Sequence, residues 1–318
     1  MSPEFSVVIP AYNRANVLAR TLKSVLEQTF QDFEIIVVDD GSSDDPKAVV
    51  ETFADPRIRY LRQENRGGGA ARNAGIDAAR GRFIAFLDSD DEFLPHHLQH
   101  MHRLLDGEED TVGYARVVVD RGAGRTLLKP PRAIRPGEHM ATYLLCDRGF
   151  VPTITVVLPR EIAWRVRYSE ALRFAQDTDF ALRLYLEGCR FRMLEEPGAV
   201  WHDLPDPQRT SANRKGANAV GWIEFMRHRI PSRAYHGCRG WMIAKGVAPR
   251  HKGKALALYL TALLHGCYRP RLAAIIFLQV FLPDATYRRI ADWAVAIIGR
   301  SRPAEQDSTQ AALWEHPC

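Results

Sequence analysis

The sequence shows no C-x-x-C pair, no leader-like pattern in its first residues and no apolar stretch of the length expected to cross a bilayer, and each absence sets an expectation. Its five cysteines (Cys146, Cys189, Cys238, Cys267 and Cys318) are odd in number and widely spaced. That argues against a disulfide framework or a zinc ribbon and for a reducing compartment. The opening residues Met1-Ser2-Pro3-Glu4-Phe5 run straight into a strand-like segment. Without a basic start, a long apolar stretch and a small-residue cleavage site, a cytoplasmic location is expected. The longest nearly uncharged run, Leu272 to Leu282, has 11 residues and is closed by Pro283, against the ~20 that a spanning helix needs. Around Gly67-Gly68-Gly69 neither G-x-G-x-x-G nor G-x-x-x-x-G-K-[ST] can be read, so dehydrogenase and P-loop chemistry lose their main support.

What is present is an ordinary globular composition with unevenly placed charge. The 318 residues are 46% hydrophobic and 25% charged, enough for one large domain and an appendage. The net charge of +5 hides a division: residues 206–300 hold 16 Lys/Arg against 4 Asp/Glu, residues 301–318 hold 1 against 3, and residues 1–205 hold 26 against 31. We therefore expect an acidic body over 1–205, a basic helical region over 206–300 and a disordered tail over 301–318.

Four β-rich runs recur in the first hundred residues: Ser6 to Ile9, Glu34 to Val38, Ile58 to Leu61 and Phe83 to Leu87. Helical patterns lie between them, as a parallel sheet requires. The first, about 15–28, places Leu18, Leu22, Val25 and Leu26 on one face. Asp44-Asp45-Pro46 reads as the start of a second helix, and Gly67-Gly68-Gly69 opens a third. Further on, Val112 to Val119 and Thr153 to Leu158 read as strands and Asp177 to Glu187 as a helix, while apolar helical stretches fall at about 253–267, 272–282 and 286–299.

In a parallel α/β sheet, ligands gather beyond the carboxyl ends of the strands, where loops and helix N-termini converge. Here those ends carry Pro10-Ala11-Tyr12-Asn13-Arg14, Asp39-Asp40-Gly41-Ser42-Ser43-Asp44 and Asp88-Ser89-Asp90-Asp91. Three acids within four residues repel one another unless a cation neutralises them. A hard ion such as Mg2+ or Mn2+, completed by substrate phosphates and water, suits such a cluster. Helix capping is the alternative use of Asp88 to Glu92, but a cap takes one or two acids and leaves the rest unexplained. Asp39-Asp40-Gly41-Ser42 alone is also generic turn chemistry.

Taken with Val7 to Arg14, Val37 to Asp44, Ala70-Ala71-Arg72-Asn73-Ala74-Gly75 and Phe86 to Asp91, the chain resembles the family 2 glycosyltransferases, closely over about residues 5–95 and more weakly to about 203. The resemblance implies an α/β GT-A fold with a mostly parallel central sheet, followed by a helical C-terminal region. It implies that Asp39 and Asp40 bind the nucleobase or ribose, that Arg72 lies near the base, that Arg14 approaches the diphosphate and that Pro10, Ala11 and Tyr12 line the nucleotide pocket. Asp90 and Asp91 would hold Mn2+ or Mg2+, with Asp88 as a further ligand or neighbour. His202, after Val200-Trp201, would be an extra ligand or phosphate contact, with a structural histidine as the alternative.

The family's inverting chemistry needs a base for the acceptor hydroxyl. Asp177 matches that position in Gln176-Asp177-Thr178-Asp179, where Gln176 replaces the usual Glu, and Asp179 would contact substrate. Read without the family, Asp177 and Asp179 are first-turn acids that suit a helix dipole. His96 and His100 share a helix face, but no third ligand supports a zinc site.

The partners implied are a UDP-, dTDP- or GDP-sugar and a glycan or polyprenyl-linked acceptor. Basic clusters beside apolar helices in the C-terminal region, with Trp222, Trp241, Tyr259 and Phe277, suit an anionic membrane surface at the inner face of the cell membrane. No nucleic-acid-binding signature accompanies the charge. A nucleotidyltransferase would show a Gly-rich, basic loop after the first strand, and a catalytically silent glycan- or nucleotide-binding scaffold need not keep Asp40, Asp90, Asp91 and Asp177.

Overall fold

The computed structural model describes residues 2–172, 175–204, 217–283, 285–287 and 289–290. The tail expected over 301–318 and most of the helix expected over 286–299 lie outside them. The first half alternates as anticipated: β1 (Phe5–Ala11), α1 (Ala15–Leu26), β2 (Phe33–Asp39), α2 (Pro46–Glu51), β3 (Ile58–Arg62), α3 (Gly68–Ala78) and β4 (Phe83–Phe86). The four strands are parallel in the order β3-β2-β1-β4, with Phe5 aligned to both Phe33 and Phe83.

Side chains alternate across a strand, so β1 sends Val7 and Ile9 to one face and Val8 to the other. Val7 and Ile9 pack with Leu18, Leu22 and Val25 of α1. Val8 packs with Ile36, Phe86 and Ile76 of α3 in a second core. Burial on both faces is why these strands read as continuous apolar runs.

The chain continues through β5 (Glu92–Phe93), α4 (His97–Leu105), β6 (Thr111–Asp120), β7 (Thr126–Lys129), α5 (Met140–Cys146), β8 (Val157–Pro159), α6 (Arg160–Val166), α7 (Gln176–Leu186) and β9 (Arg190–His202). These strands extend the sheet as β4-β8-β6-β9-β5, with β7 on β6. The strand expected over Thr153 to Leu158 is shorter, because Thr153–Thr155 forms a single 3-10 turn. Thr155 Oγ1 instead accepts from Ala115 N at 3.1 Å and donates to Ala115 O at 3.0 Å, so a hydroxyl takes the place of a ladder rung. Pairing of β5 with β9 sets Glu92 opposite Val200 and brings His202 back to the acidic run.

The last described helices are α8 (Ala217–Met226), α9 (Ser232–Cys238), α10 (Ala244–Val247), α11 (Lys252–Leu264) and α12 (Pro270–Phe281), with a π turn over Arg239–Ile243. Residue 205 does not divide two cores. Trp222, Ile223, Met226 and Tyr235 pack in the same core as Tyr143 of α5 and Phe180 of α7. A satellite core forms around Ala244, Tyr259 and Ile276 of α10 to α12, joined by Cys146 of α5.

Candidate active site

Loops at the ends of β1, β2 and β4 meet α3 and α7 at one rim. The first turns at Asn13, whose φ of 52° is left-handed, a conformation Asn tolerates. Asn13 N donates to Ser42 Oγ at 2.9 Å and Asn13 Oδ1 accepts from Ser43 N at 2.8 Å. These bonds tie the end of β1 to the end of β2. Ala11 is buried in the wall and Tyr12 stands 50% exposed.

Asp39 and Asp40 turn inward. Asp39 is fully buried and accepts from Ser42 N at 2.8 Å, Tyr60 Oη at 2.6 Å and Arg62 Nη1 at 2.8 Å. Burial opposes its ionisation, but the Ser42 and Tyr60 hydrogen bonds and the Arg62 charge prevail and hold its carboxyl below the usual range. Asp40 accepts from Gln63 Nε2 at 2.7 Å, Arg66 N at 2.9 Å and Gly67 N at 2.7 Å. Gly67, at φ 91°, precedes α3, so Asp40 anchors the entry to that helix. Both carboxylates are thus engaged within the chain, Asp39 with β3 and Asp40 with the turn into α3.

The acidic run is spread out by three arginines and a threonine. Arg72 Nη2 donates to Asp88 Oδ1 at 2.5 Å. Arg14 Nε lies 3.7 Å from Asp90 Oδ2, and Arg20 Nη2 donates to Asp90 O at 2.9 Å. Thr21 Oγ1 sits 2.9 Å from Ser89 O and 2.8 Å from Asp91 O. Asp91 is buried, with His202 N donating to its Oδ1 at 2.9 Å. The His202 ring reaches Glu92 Oε1 at 2.6 Å and Asp120 Oδ2 at 3.5 Å.

Arg72 also joins this run to α7. Its Nη1 donates to Gln176 Oε1 at 3.2 Å, and its guanidinium lies 5.2 Å from the centroid of the Tyr168 ring. Asp177, next along the helix, accepts from Thr178 N at 2.8 Å. Burial pushes its carboxyl up, the Asp88 charge adds to the rise, and Arg72 opposes it. Arg72, expected near the base, thus links Asp88 to the head of the helix that bears Asp177.

Asp179, one of the expected substrate contacts, is buried. It accepts from Arg183 Nε at 2.8 Å and from Trp222 Nε1 at 2.9 Å. Its carboxylate fastens α7 to α8 and is turned away from the rim.

A profile of glycosyl transferase family 2 matches residues 6–167, slightly more than half of the chain. The chain belongs to that family. Among its relatives, the amylovoran biosynthesis glycosyltransferase AmsB of Erwinia amylovora is 32% identical over 242 residues, covering 72% of this chain and 79% of AmsB. The succinoglycan biosynthesis protein ExoO of Rhizobium meliloti is 33% identical over 213 residues, covering 63% of this chain and 61% of ExoO. The chain thus spans less than two thirds of that second relative. In fold it resembles S. aureus TarS 1–349 in complex with UDP-GlcNAc, with a TM-score of 0.63, 18% identity, and coverage of 88% of this chain and 87% of that one. The architecture of this glycosyltransferase is GT-A.

The ion site expected at Asp90, Asp91 and His202 is not assembled in this glycosyltransferase. Asp91 is turned to the β9 backbone and the His202 ring to Glu92 and Asp120. Among the described residues no three His, Cys, Asp or Glu side chains converge on a point that could hold an ion. The more accessible carboxylates of the run are Asp88 and Asp90, 36% and 29% exposed. As hard oxygen donors they fit Mg2+ or Mn2+ only together with phosphate oxygens. Arg14 and Arg72 pair with Asp90 and Asp88, and Arg20 with neighbouring Glu92.

Several residues that build the site were not singled out from sequence. Arg20 of α1 approaches Glu92 Oε1 with its Nε at 3.1 Å as well as holding Asp90 O. Asn73, beside Arg72 on α3, donates to Tyr168 O at 3.0 Å and accepts from Tyr168 N at 2.8 Å. It thereby fixes the ring that lies under Arg72. A signal existed: Arg-Asn in the third motif puts a rim residue next to one that is buried.

Proposed function

We propose that this glycosyltransferase moves a sugar, with inversion, from a nucleoside-diphosphate donor to a hydroxyl of a glycan or polyprenyl-linked acceptor, in the synthesis of a surface polysaccharide or glycolipid. The observation that carries the mechanism is Asp177 at the head of α7, where Arg72 links neighbouring Gln176 to Asp88 and burial raises the Asp177 carboxyl above its usual value. The names of the amylovoran and succinoglycan relatives support the polysaccharide setting. The UDP-GlcNAc complex of TarS makes a UDP-sugar the first donor to try.

Donor phosphates would lie at the rim beside Arg14, Asp88 and Asp90, with the nucleoside towards the pocket behind Asp39 and Asp40. The acceptor oxygen attacks the anomeric carbon, the bond from that carbon to the phosphate oxygen breaks, and the acceptor proton passes to Asp177. The nucleoside diphosphate departs with the electron pair. Mg2+ or Mn2+ held at Asp88 and Asp90 would supply positive charge for that leaving group. Buried Asp39 and Asp40 keep the pocket wall in place while this happens.

The test is release of nucleoside diphosphate from a panel of UDP-, dTDP- and GDP-sugars, with Mn2+ or Mg2+ and a polyprenyl-linked acceptor. Turnover with one donor, dependent on the acceptor, is expected. Silence across the panel would favour a binding scaffold.

A further inference from the structure

The helix α11 is apolar on two sides, and among the described residues only one of them packs in a core. Ala255, Tyr259 and Ala262 are buried in the satellite core, and Tyr259 Oη donates to Ala273 O at 2.9 Å. Leu256, Leu260 and Leu264 form a second stripe at i, i+4 and i+8, and they are 41%, 47% and 88% exposed. On the neighbouring α12, Phe277 is 42% exposed.

The charge around this stripe has one sign. From Phe225 to Pro283 the chain carries ten Lys/Arg and not one Asp or Glu. Arg250, Lys252 and Lys254 are exposed where α11 begins, and Arg271 where α12 begins. The first turn of α11 has no acidic residue. Cations at a helix N-terminus oppose the helix dipole, so Lys252 and Lys254 are poorly placed for the stability of α11 and need another reason to be there.

We propose that the Leu256, Leu260 and Leu264 face of α11, with its basic margin, docks on an anionic lipid bilayer. Leucines that enter the headgroup boundary beside lysines and arginines that meet anionic headgroups are the two halves of an interfacial helix. A protein partner would have to offer carboxylates around an apolar patch, whereas a bilayer supplies both layers along its whole surface. The reading rests on the proposed acceptor being lipid-linked: docking would bring the rim to where such an acceptor lies. The attachment to the catalytic half is firm, since Trp222 of α8 donates to Asp179 on the helix that bears Asp177.

The experiment is flotation of the full chain with vesicles of phosphatidylcholine alone or mixed with phosphatidylglycerol. The wild-type chain is expected to float with the mixed vesicles about tenfold better than with the neutral ones, and to lose that preference in high salt. Leu256→Glu/Leu260→Glu/Leu264→Glu should abolish flotation, and Lys252→Glu/Lys254→Glu should erase the preference for phosphatidylglycerol. Both variants should keep the circular dichroism of the wild type. Both should also keep its nucleoside diphosphate release with a soluble acceptor, which separates loss of docking from loss of the proposed activity.

The idea is overturned if the wild-type chain floats with neither vesicle or if the leucine variant floats as well as the wild type. It is equally overturned if light scattering shows a dimer that the leucine variant dissolves while neither protein floats, which would assign the face to a second copy of the chain.

Discussion

Arg72 donates to Asp88 at 2.5 Å from α3 and, through its other terminal nitrogen, reaches Gln176 at the head of the helix that carries Asp177. One guanidinium thus sits between the carboxylate proposed to face the leaving group and the one proposed to take the acceptor proton. Arg72→Gln should shift both functions. Removing the positive charge takes away the interaction that lowers the Asp177 pKa, so the acid limb of the kcat/KM profile should move to higher pH. Asp88→Asn should move the same limb to lower pH, because the Asp88 charge raises the Asp177 pKa. Profiles measured on both variants with one donor check the signs. Identical limbs would show that Asp177 is not the titrating base.

Asp177→Asn keeps the shape of the side chain and removes its proton affinity. Turnover should fall by roughly 10²–10⁴, the usual contribution of general acid–base catalysis. Binding of the nucleoside diphosphate, followed by calorimetry, should be nearly unchanged because the wall around Asp39 and Asp40 is untouched. Loss of nucleotide binding together with turnover would instead mark Asp177 as a support of the fold.

The four parallel strands were legible because burial on both faces leaves long apolar runs, and the rim was legible because polar residues end those runs. The second half was harder to read. Thr155 replaces a strand rung with its hydroxyl, which no periodicity announces. The charge balance of the acidic run depends on Arg14, Arg20 and Arg72, which come from two other parts of the chain. Counting Asp88, Asp90 and Asp91 along the sequence finds the acidic run but not how each carboxylate is aimed, and only the fold shows Asp91 turned towards the His202 backbone.

Asp90 and Asp91 consequently separate in experiment. Asp90→Asn should raise the Mn2+ concentration needed for half-maximal turnover while leaving the melting temperature nearly unchanged. Asp91→Ala deprives the His202 N–H of its acceptor in a buried place, at a cost of about 1–3 kcal/mol. That would appear as a lower melting temperature. Turnover that persists in EDTA would mean that the arginines alone suffice for the leaving group, and the ion reading would fall.

Trp222→Phe tests the tie between the two halves. It removes the indole N–H that bonds to Asp179 at 2.9 Å and leaves part of a buried carboxylate unsatisfied, with a loss of about 1–3 kcal/mol in chemical denaturation. Because α7 also bears Asp177, kcat should fall more than donor affinity. A variant with unchanged stability and unchanged kcat would show that α8 is not needed to hold α7.

His97 makes the last prediction, on acid stability. Its ring is buried against Phe93, with centroids 4.5 Å apart, and its two nitrogens have no hydrogen-bond partner among the described residues. Burial, with a smaller push from His100, lowers its pKa from 6.5 to about 3. The folded chain keeps the ring neutral where the unfolded chain would protonate it. Its contribution is therefore complete above pH 6.5 and is lost progressively as pH falls from there towards 3, at up to about 1.4 kcal/mol per pH unit for one proton. Urea denaturation at pH 7 and pH 5 should show this loss in the wild type, and His97→Asn should lose less over the same interval. Equal losses in the two proteins would place the acid sensitivity elsewhere.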